Sequence, residues 1–198
     1  MCIFRIRDKS HLKNIILPIF DQYPMLSNKQ YDYLMFKEAL LNGINLHKDL
    51  LVYDRPTEPL NSIEMILSQP YFNVWLIGFI EAEACFSIYK PAKENSALRA
   101  EFLRNSLVAS FDISQKDGSI LLGAIKEILS LSPKIGIDST NCSKLKVSSV
   151  RAIENIVKFI QKAPVKLIGY KKLQYLLWLK ELRAIPRYSN KFYIPDKY

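Results

Sequence analysis

Between Trp75 and Tyr89 the chain reads WLIGFIEAEACFSIY. From Phe72 to Glu81 apolar residues crowd every face, which predicts a helix buried over most of its surface. Gly78 weakens that helix but would let a second backbone approach closely, as in helix-on-helix packing. Glu81 and Glu83 then stand at its C-terminal end, where the helix dipole disfavours negative charge unless a cation compensates. Two carboxylates set against the dipole point to such a cation. From Cys85 the pattern changes at once to the alternation of a half-buried strand.

The same alternation recurs at Val108–Gln115 (VASFDISQ) and Lys144–Ser148 (KLKVS). Strands of this kind turn Phe86, Ile88, Phe111, Ile113, Leu145 and Val147 inward. They leave Ser87, Tyr89, Ser110, Asp112, Lys144 and Lys146 on the other face. A polar, basic sheet face is a platform for a phosphate backbone.

An internal repeat surrounds these strands. FRIRDKSHLKNIILPIFDQYP from Phe4 is similar to LKVSSVRAIENIVKFIQKAP from Leu145: Ile6 pairs with Val147, Leu12 with Ile153, Asn14 with Asn155 and Ile15 with Ile156, an offset of 147 − 6 = 141. SNKQYDYLMF from Ser27 pairs with GYKKLQYLLW from Gly169, with Lys29 on Lys171, Tyr33 on Tyr175 and Phe36 on Trp178, an offset of 171 − 29 = 142. Each copy reads as a basic strand, a helix with apolar residues at three- and four-residue intervals, a proline-marked break and a second helix. By the same offset the counterpart of Trp75–Asn141 falls upstream of Met1. The expected organisation is therefore the C-terminal half of a first repeat (1–46), a linker (47–70) and a complete second repeat (71–198). DRPTEPLNS, with Pro56 and Pro59, marks the linker, and one short helical turn is expected around Ile63–Leu67.

Composition narrows the function. The 198 residues carry 28 Lys plus Arg against 19 Asp plus Glu, and Lys144–Tyr198 alone holds 13 basic and 3 acidic residues, 13 − 3 = +10. So local an excess favours a polyanionic partner, although the wet faces of ordinary helices would look the same. Cys2, Cys85 and Cys142 are widely spaced and odd in number, which speaks against a disulfide framework or a zinc ribbon. His11 and His47 lack a second ligand at metal spacing and read as ordinary side chains. The longest apolar run, Val74–Ile80, is too short to cross a bilayer, so no membrane role is expected.

LIGFIEAEA from Leu76 resembles the signature of the LAGLIDADG homing endonucleases, and the order helix, hairpin, helix, hairpin, helices resembles their αββαββα unit, an α+β fold. IRDKSHL, SNKQYDYL, EPLNSIE, GFIEAEACFS, NCSKLKV and GYKKLQYLLW are similar to blocks of the mitochondrial cytochrome b intron-encoded endonuclease/maturase group. The resemblance implies a pseudo-symmetric pair of units that brings the last acidic residue of each motif helix to a cleft over double-stranded DNA. It makes Glu83 the Mg²⁺-holding catalytic carboxylate and gives Glu81 a structural role. It makes Gln115 an active-site neighbour and Lys29 and Lys171 the basic residues that steady the scissile phosphates. The nucleic-acid-binding set it implies is Arg5, Ser87, Tyr89, Lys93, Ser110, Asp112, Lys144 and Lys146. It also implies an organelle-encoded, mitochondrial protein.

Two departures from the family pattern matter. Ala84 replaces the usual motif glycine, which would be strained if that position needs a positive φ. The first acidic motif is absent, so the exposed face of the 75–83 helix is expected to meet a second copy or a missing N-terminal half. Three functions remain open on the sequence: a Mg²⁺-dependent DNA endonuclease, a non-catalytic maturase that binds group I intron RNA, and an inactive remnant. For the maturase, Lys158, Lys162, Lys166, Lys171, Lys172, Lys180, Arg183, Arg187 and Lys191 would supply the basic surface.

Overall fold

The computed structural model describes residues 5–44, 52–90 and 107–198. Cys2, His47 and Lys93, and the expected boundary at 46/47, lie outside the described residues. The chain forms two compact units, Met1–Ser62 and Ile63–Tyr198, whose border falls within the expected linker.

In the first unit, helix α1 passes through Lys9–His11, a π-helical segment Leu12–Ile16, and Leu17–Gln22. The Asp8 side chain starts it by accepting a hydrogen bond from the His11 amide at 2.7 Å. After Pro24 comes α2, Lys29–Leu41. A small core of Leu17, Tyr33 and Leu40 joins the two helices, with Leu12, Phe20 and Met25 packed at its edge. The single Tyr33 hydroxyl proton is directed to Asp21 at 2.7 Å and shared with the Leu17 carbonyl at 3.0 Å, so this buried donor has its acceptors. The basic strand expected at the start of this repeat is not seen in its described part. Residues 5–8 carry no strand, although Asp8 has extended backbone at φ −69° and ψ 122°.

The second unit begins with the expected short helix, α3 (Ile63–Leu67), and continues with α4 (Phe72–Glu83). Strands β1 (Cys85–Tyr89) and β2 (Val108–Lys116) follow, then α5 (Ser119–Ile128). The short β3 (Gly136–Ile137), β4 (Cys142–Val147), α6 (Val150–Lys162), α7 (Gly169–Ala184) and α8 (Pro186–Ser189) complete it. The strands form one antiparallel sheet in the order β1-β2-β4-β3. This is the helix-strand-strand-helix-strand-strand-helix order expected.

Alternation sorts the sheet as read from sequence. Phe86, Phe111, Ile113, Leu145 and Val147 are buried against the helices, while Ile88 on the outer strand is half-buried. Helix α6 shows why a sequence folds this way. Ser149 caps it by accepting from the Ala152 amide, and Ile153, Ile156, Val157 and Ile160 recur on one face, all buried. Helix α4 is less enclosed than expected. Phe72, Leu76, Ile77 and Ile80 are buried, but Asn73, Val74 and Gly78 are exposed, and a Cβ added at Gly78 would meet nothing within 4 Å. Trp75 and Phe79 stack on that outer side with ring centres 5.0 Å apart.

Candidate nucleic-acid interface and acidic centre

The end of α4 is tied to the start of α7 by two reciprocal bonds. A helix leaves its last carbonyls and its first amides without internal partners. The Lys171 ammonium, in the first turn of α7, donates to the Ala84 carbonyl just beyond α4 and to Gln174 Oε1 at 3.2 Å. In return, Glu81 Oε2 accepts the Ile168 amide at 3.0 Å, at the N-cap of α7. Each charge therefore sits at the helix end whose dipole favours it. Gly169 supplies the positive φ of +53° that turns the chain into α7 beside Glu81. One residue earlier, the Leu167 amide donates to the Tyr198 hydroxyl at 2.6 Å.

The cation that the dipole required at this helix end is thus Lys171, at the Ala84 carbonyl. Glu83 is left exposed, with no hydrogen bond or ion pair among the described residues. Ala84 has φ −80° and ψ 154°, ordinary extended backbone, so the replacement of the motif glycine carries no strain and the side chain is simply buried. Lys171 is half-buried and bonded on two sides, while Lys29, its repeat counterpart, is exposed at the start of α2 in the first unit. Arg5 is also in the first unit, where it lines an open cavity of about 390 Å³ with Arg7, Asp8, His11 and Ile15.

Gln115 sits opposite Ser143, on the parity of Ile113 and hence of the inner face. Because β1 begins opposite Asp112, Gln115 lies three residues further along β2, roughly 10 Å towards the end where α4 enters the sheet. A Cβ at Gly118 would come within 2.5 Å of Gln115 Cβ, so the glycine permits the tight turn into α5 over this side chain.

On the outer face the polar residues engage one another. Ser87 and Ser110 hydroxyls are 2.9 Å apart, and Ser110 donates to Asp112 at 2.5 Å. Lys146 lies 3.6 Å from Asp112 and 5.1 Å from the centre of the Tyr89 ring. In the register, Lys146 stands beside Asp112 on one flank of β2 and Tyr89 beside Val108 on the other. Ser110 lies midway on that diagonal, beneath the cation–π contact, and is fully buried. Ser110, expected on the ligand-facing side, is instead fully buried and spends its hydroxyl on Ser87 and Asp112. Tyr89, Lys144 and Lys146 are exposed and Ser87 and Asp112 half-exposed.

Lys144 pairs with Asp138 at 2.8 Å. Asp138 also accepts from the Thr140 hydroxyl and from the amides of Thr140 and Cys142. These bonds, led by the one from Lys144, hold its carboxyl well below the usual range. The sequence reading passed over this hairpin turn, although DSTN has the short polar residues that fold back on their own backbone.

Among the described residues no three His, Cys, Asp or Glu side chains converge on a metal position, and no helix is long and apolar enough to cross a membrane. Magnesium commonly takes one or two carboxylates and fills its remaining positions with water and phosphate oxygens. Glu83, an exposed hard donor, fits as one such anchor.

A four-stranded sheet with a lysine-bearing outer face, entered by a helix that ends in an exposed carboxylate, defines an α+β platform with an acidic group at one end. The LAGLIDADG endonuclease family model matches residues 1–40 and 76–182, and the chain belongs to that family. A probable intron-encoded endonuclease, Cox1-I1b, of Schizosaccharomyces pombe is 31% identical over 196 residues, covering 91% of this chain and 47% of the relative. A probable intron-encoded endonuclease, aI3, of Dictyostelium citrinum is 31% identical over 178 residues, covering 87% and 65%. The chain thus spans about half to two-thirds of these relatives. The LAGLIDADG meganuclease I-CpaMI, in a crystal structure bound to uncleaved DNA, shares the fold at a TM-score of 0.70 and 21% identity, covering 94% of this chain and 70% of that one.

Proposed function

We propose that this chain is part of an intron-encoded homing endonuclease that hydrolyses both strands of a DNA target with Mg²⁺, Glu83 being its metal-holding carboxylate. Glu83, exposed at the end of a motif helix and without a partner among the described residues, is the observation that carries the reading. When bound there, the ion would make water a better nucleophile and neutralise charge on the leaving oxygen. Glu81 and Lys171 fix the helix end so that Glu83 points outward. Tyr89, Lys144 and Lys146 lie on the face that would meet the DNA backbone, with Ser87 and Asp112 between them. The roles of Lys29, Arg5 and Gln115 rest on the family resemblance alone.

One chain supplies one acidic motif, so cutting two strands calls for a second motif helix, from another copy or a longer polypeptide, against the outer side of α4. Exposed Val74 and Gly78 beside the Trp75–Phe79 stack are suited to that contact. A mitochondrial, organelle-encoded origin is proposed on the likeness to intron-encoded relatives.

A second reading, binding of group I intron RNA as a maturase, is favoured by the exposure of Lys158, Lys162, Lys166, Lys180, Arg187 and Lys191 on and beside α6 and α7. Glu83→Gln separates the two. With an exon-junction duplex and Mg²⁺, cleavage by the parent and none by the variant supports the nuclease. Intron binding that survives in the variant while neither protein cuts supports the maturase and overturns the first reading.

A further inference from the structure

Helices α2 and α7 are copies of one another, and α2 wears a strap along its outer side. Residues 52–57 carry neither helix nor strand and are tied to α2 from end to end. Asn28 donates to the Thr57 carbonyl at 3.3 Å, and the Tyr31 hydroxyl donates to the Glu58 carbonyl at 3.2 Å. Asp32 accepts from the Tyr53 hydroxyl at 3.2 Å and from Arg55 at 3.1 Å. Val52 and Tyr53 line a cavity of about 320 Å³ together with Met35 and Glu38. Under this cover Asn28 is 7% exposed, and Tyr31, Asp32 and Met35 are half-buried. The offset of 142 maps Asn28, Tyr31 and Met35 onto Tyr170, Leu173 and Leu177. Spaced by three and four residues, these share the side of α7 turned away from buried Tyr175, Leu179 and Leu182, and they are 91%, 56% and 63% exposed.

We infer that Tyr170, Leu173, Leu177 and Lys180 form a docking face for an extended acidic peptide of another protein, laid along α7 as residues 52–58 are laid along α2. The chemistry of the peptide follows from the charges around the two helices. Asp32 and Glu38 of α2 correspond to Gln174 and Lys180 of α7, Gln30 to Lys172 and Ala39 to Glu181, so the same four positions change from −2 to 2 − 1 = +1. The strap on α2 answers an acid with Arg55; a strap on α7 has to answer lysine with Asp or Glu, while its apolar side chains cover the two leucines. RNA is disfavoured because Leu173 and Leu177 offer no ring on which a base can stack. A second copy is disfavoured because its own strap is held on its α2 and carries Arg55, and because three side chains fall far short of the roughly 800 Å² per partner that a stable dimer buries. The inference is independent of the nuclease reading.

Methyl NMR on the 198-residue chain tests it, with a synthetic octapeptide of alternating leucine and aspartate as the probe. The peptide should shift the Leu173 and Leu177 methyls and bind roughly tenfold more tightly than the same peptide with lysine for aspartate. Leu173→Ser combined with Leu177→Ser should abolish the binding and leave the melting temperature unchanged, since both side chains are exposed. Lys180→Glu should weaken the acidic peptide by roughly fivefold. Equal binding of the two peptides, binding that survives the double substitution, or no methyl shift at millimolar peptide overturns the inference. So does a uridine-rich single-stranded RNA that moves these methyls where the peptide does not, or a shift that grows with protein concentration alone.

Discussion

Replacing Lys171 by Met removes the ammonium from the Ala84 carbonyl and Gln174 while keeping a stem of similar length in place. A hydrogen bond from a charged donor contributes about 1.5–3 kcal/mol when well enclosed, and its value at a half-buried site lies towards the low end. Losing a cation from a helix C-terminus adds about 0.3–1 kcal/mol. The expected destabilisation is therefore about 2–2.5 kcal/mol. For a chain of this length each kcal/mol lowers Tm by about 2–4 °C, giving a fall of roughly 4–10 °C. Trp75 and Trp178 are the two tryptophans of the chain and both belong to the Ile63–Tyr198 unit, so the thermal shift of tryptophan fluorescence reports this unit alone. Lys171→Arg, which keeps a cationic donor, should recover much of the loss. A Met variant that melts within about 1 °C of the parent would refute the reciprocal tie between α4 and α7. An Arg variant that loses as much as Met would show that packing, not charge, is at stake.

Asp112→Asn and Asp138→Asn each release a lysine of the outer sheet face, Lys146 and Lys144 respectively. Affinity for a duplex should rise in each, with a steeper dependence on salt concentration in a filter or fluorescence titration. Tyr188→Phe leaves the fully buried Ala109 amide, now bound to the Tyr188 hydroxyl at 2.8 Å, without an acceptor; urea unfolding should show a loss of about 1–3 kcal/mol. The lowered pKa of Asp138 means that its contribution to stability is present above the ordinary aspartate value of about 3.9 and is lost only as pH falls through its lower folded value. The amide resonances of Thr140 and Cys142 should accordingly titrate with a midpoint below the usual carboxylate range.

What could be read from the sequence was what short-range pattern controls. The capped, one-faced helix at 150–162, the alternating strands at 108–116 and 142–147 and the helix ending at Glu83 all follow from spacing of three to four or of two. The features that escaped reading depend on residues far apart in the chain. Ser110 has the alternation of a solvent-facing residue yet is fully buried, its hydroxyl bonded to Ser87 and Asp112 on a face where Lys146 of the neighbouring strand meets Tyr89. The Lys171–Ala84 and Glu81–Ile168 bonds join positions 87 residues apart, beyond any local signal. The π-helical segment at Leu12–Ile16 and the two-residue β3 are too short to imprint a period. The position of Glu83 at the end of its helix follows from the same local pattern, since the apolar run gives way there to strand alternation.

The consecutive amides of Leu167 and Ile168 are held by Tyr198 and Glu81 in turn, which places the chain's last residue mechanically in series with the motif helix. Loss of the Tyr198 phenol would therefore be felt some distance away, as slack in the helix that carries Glu83.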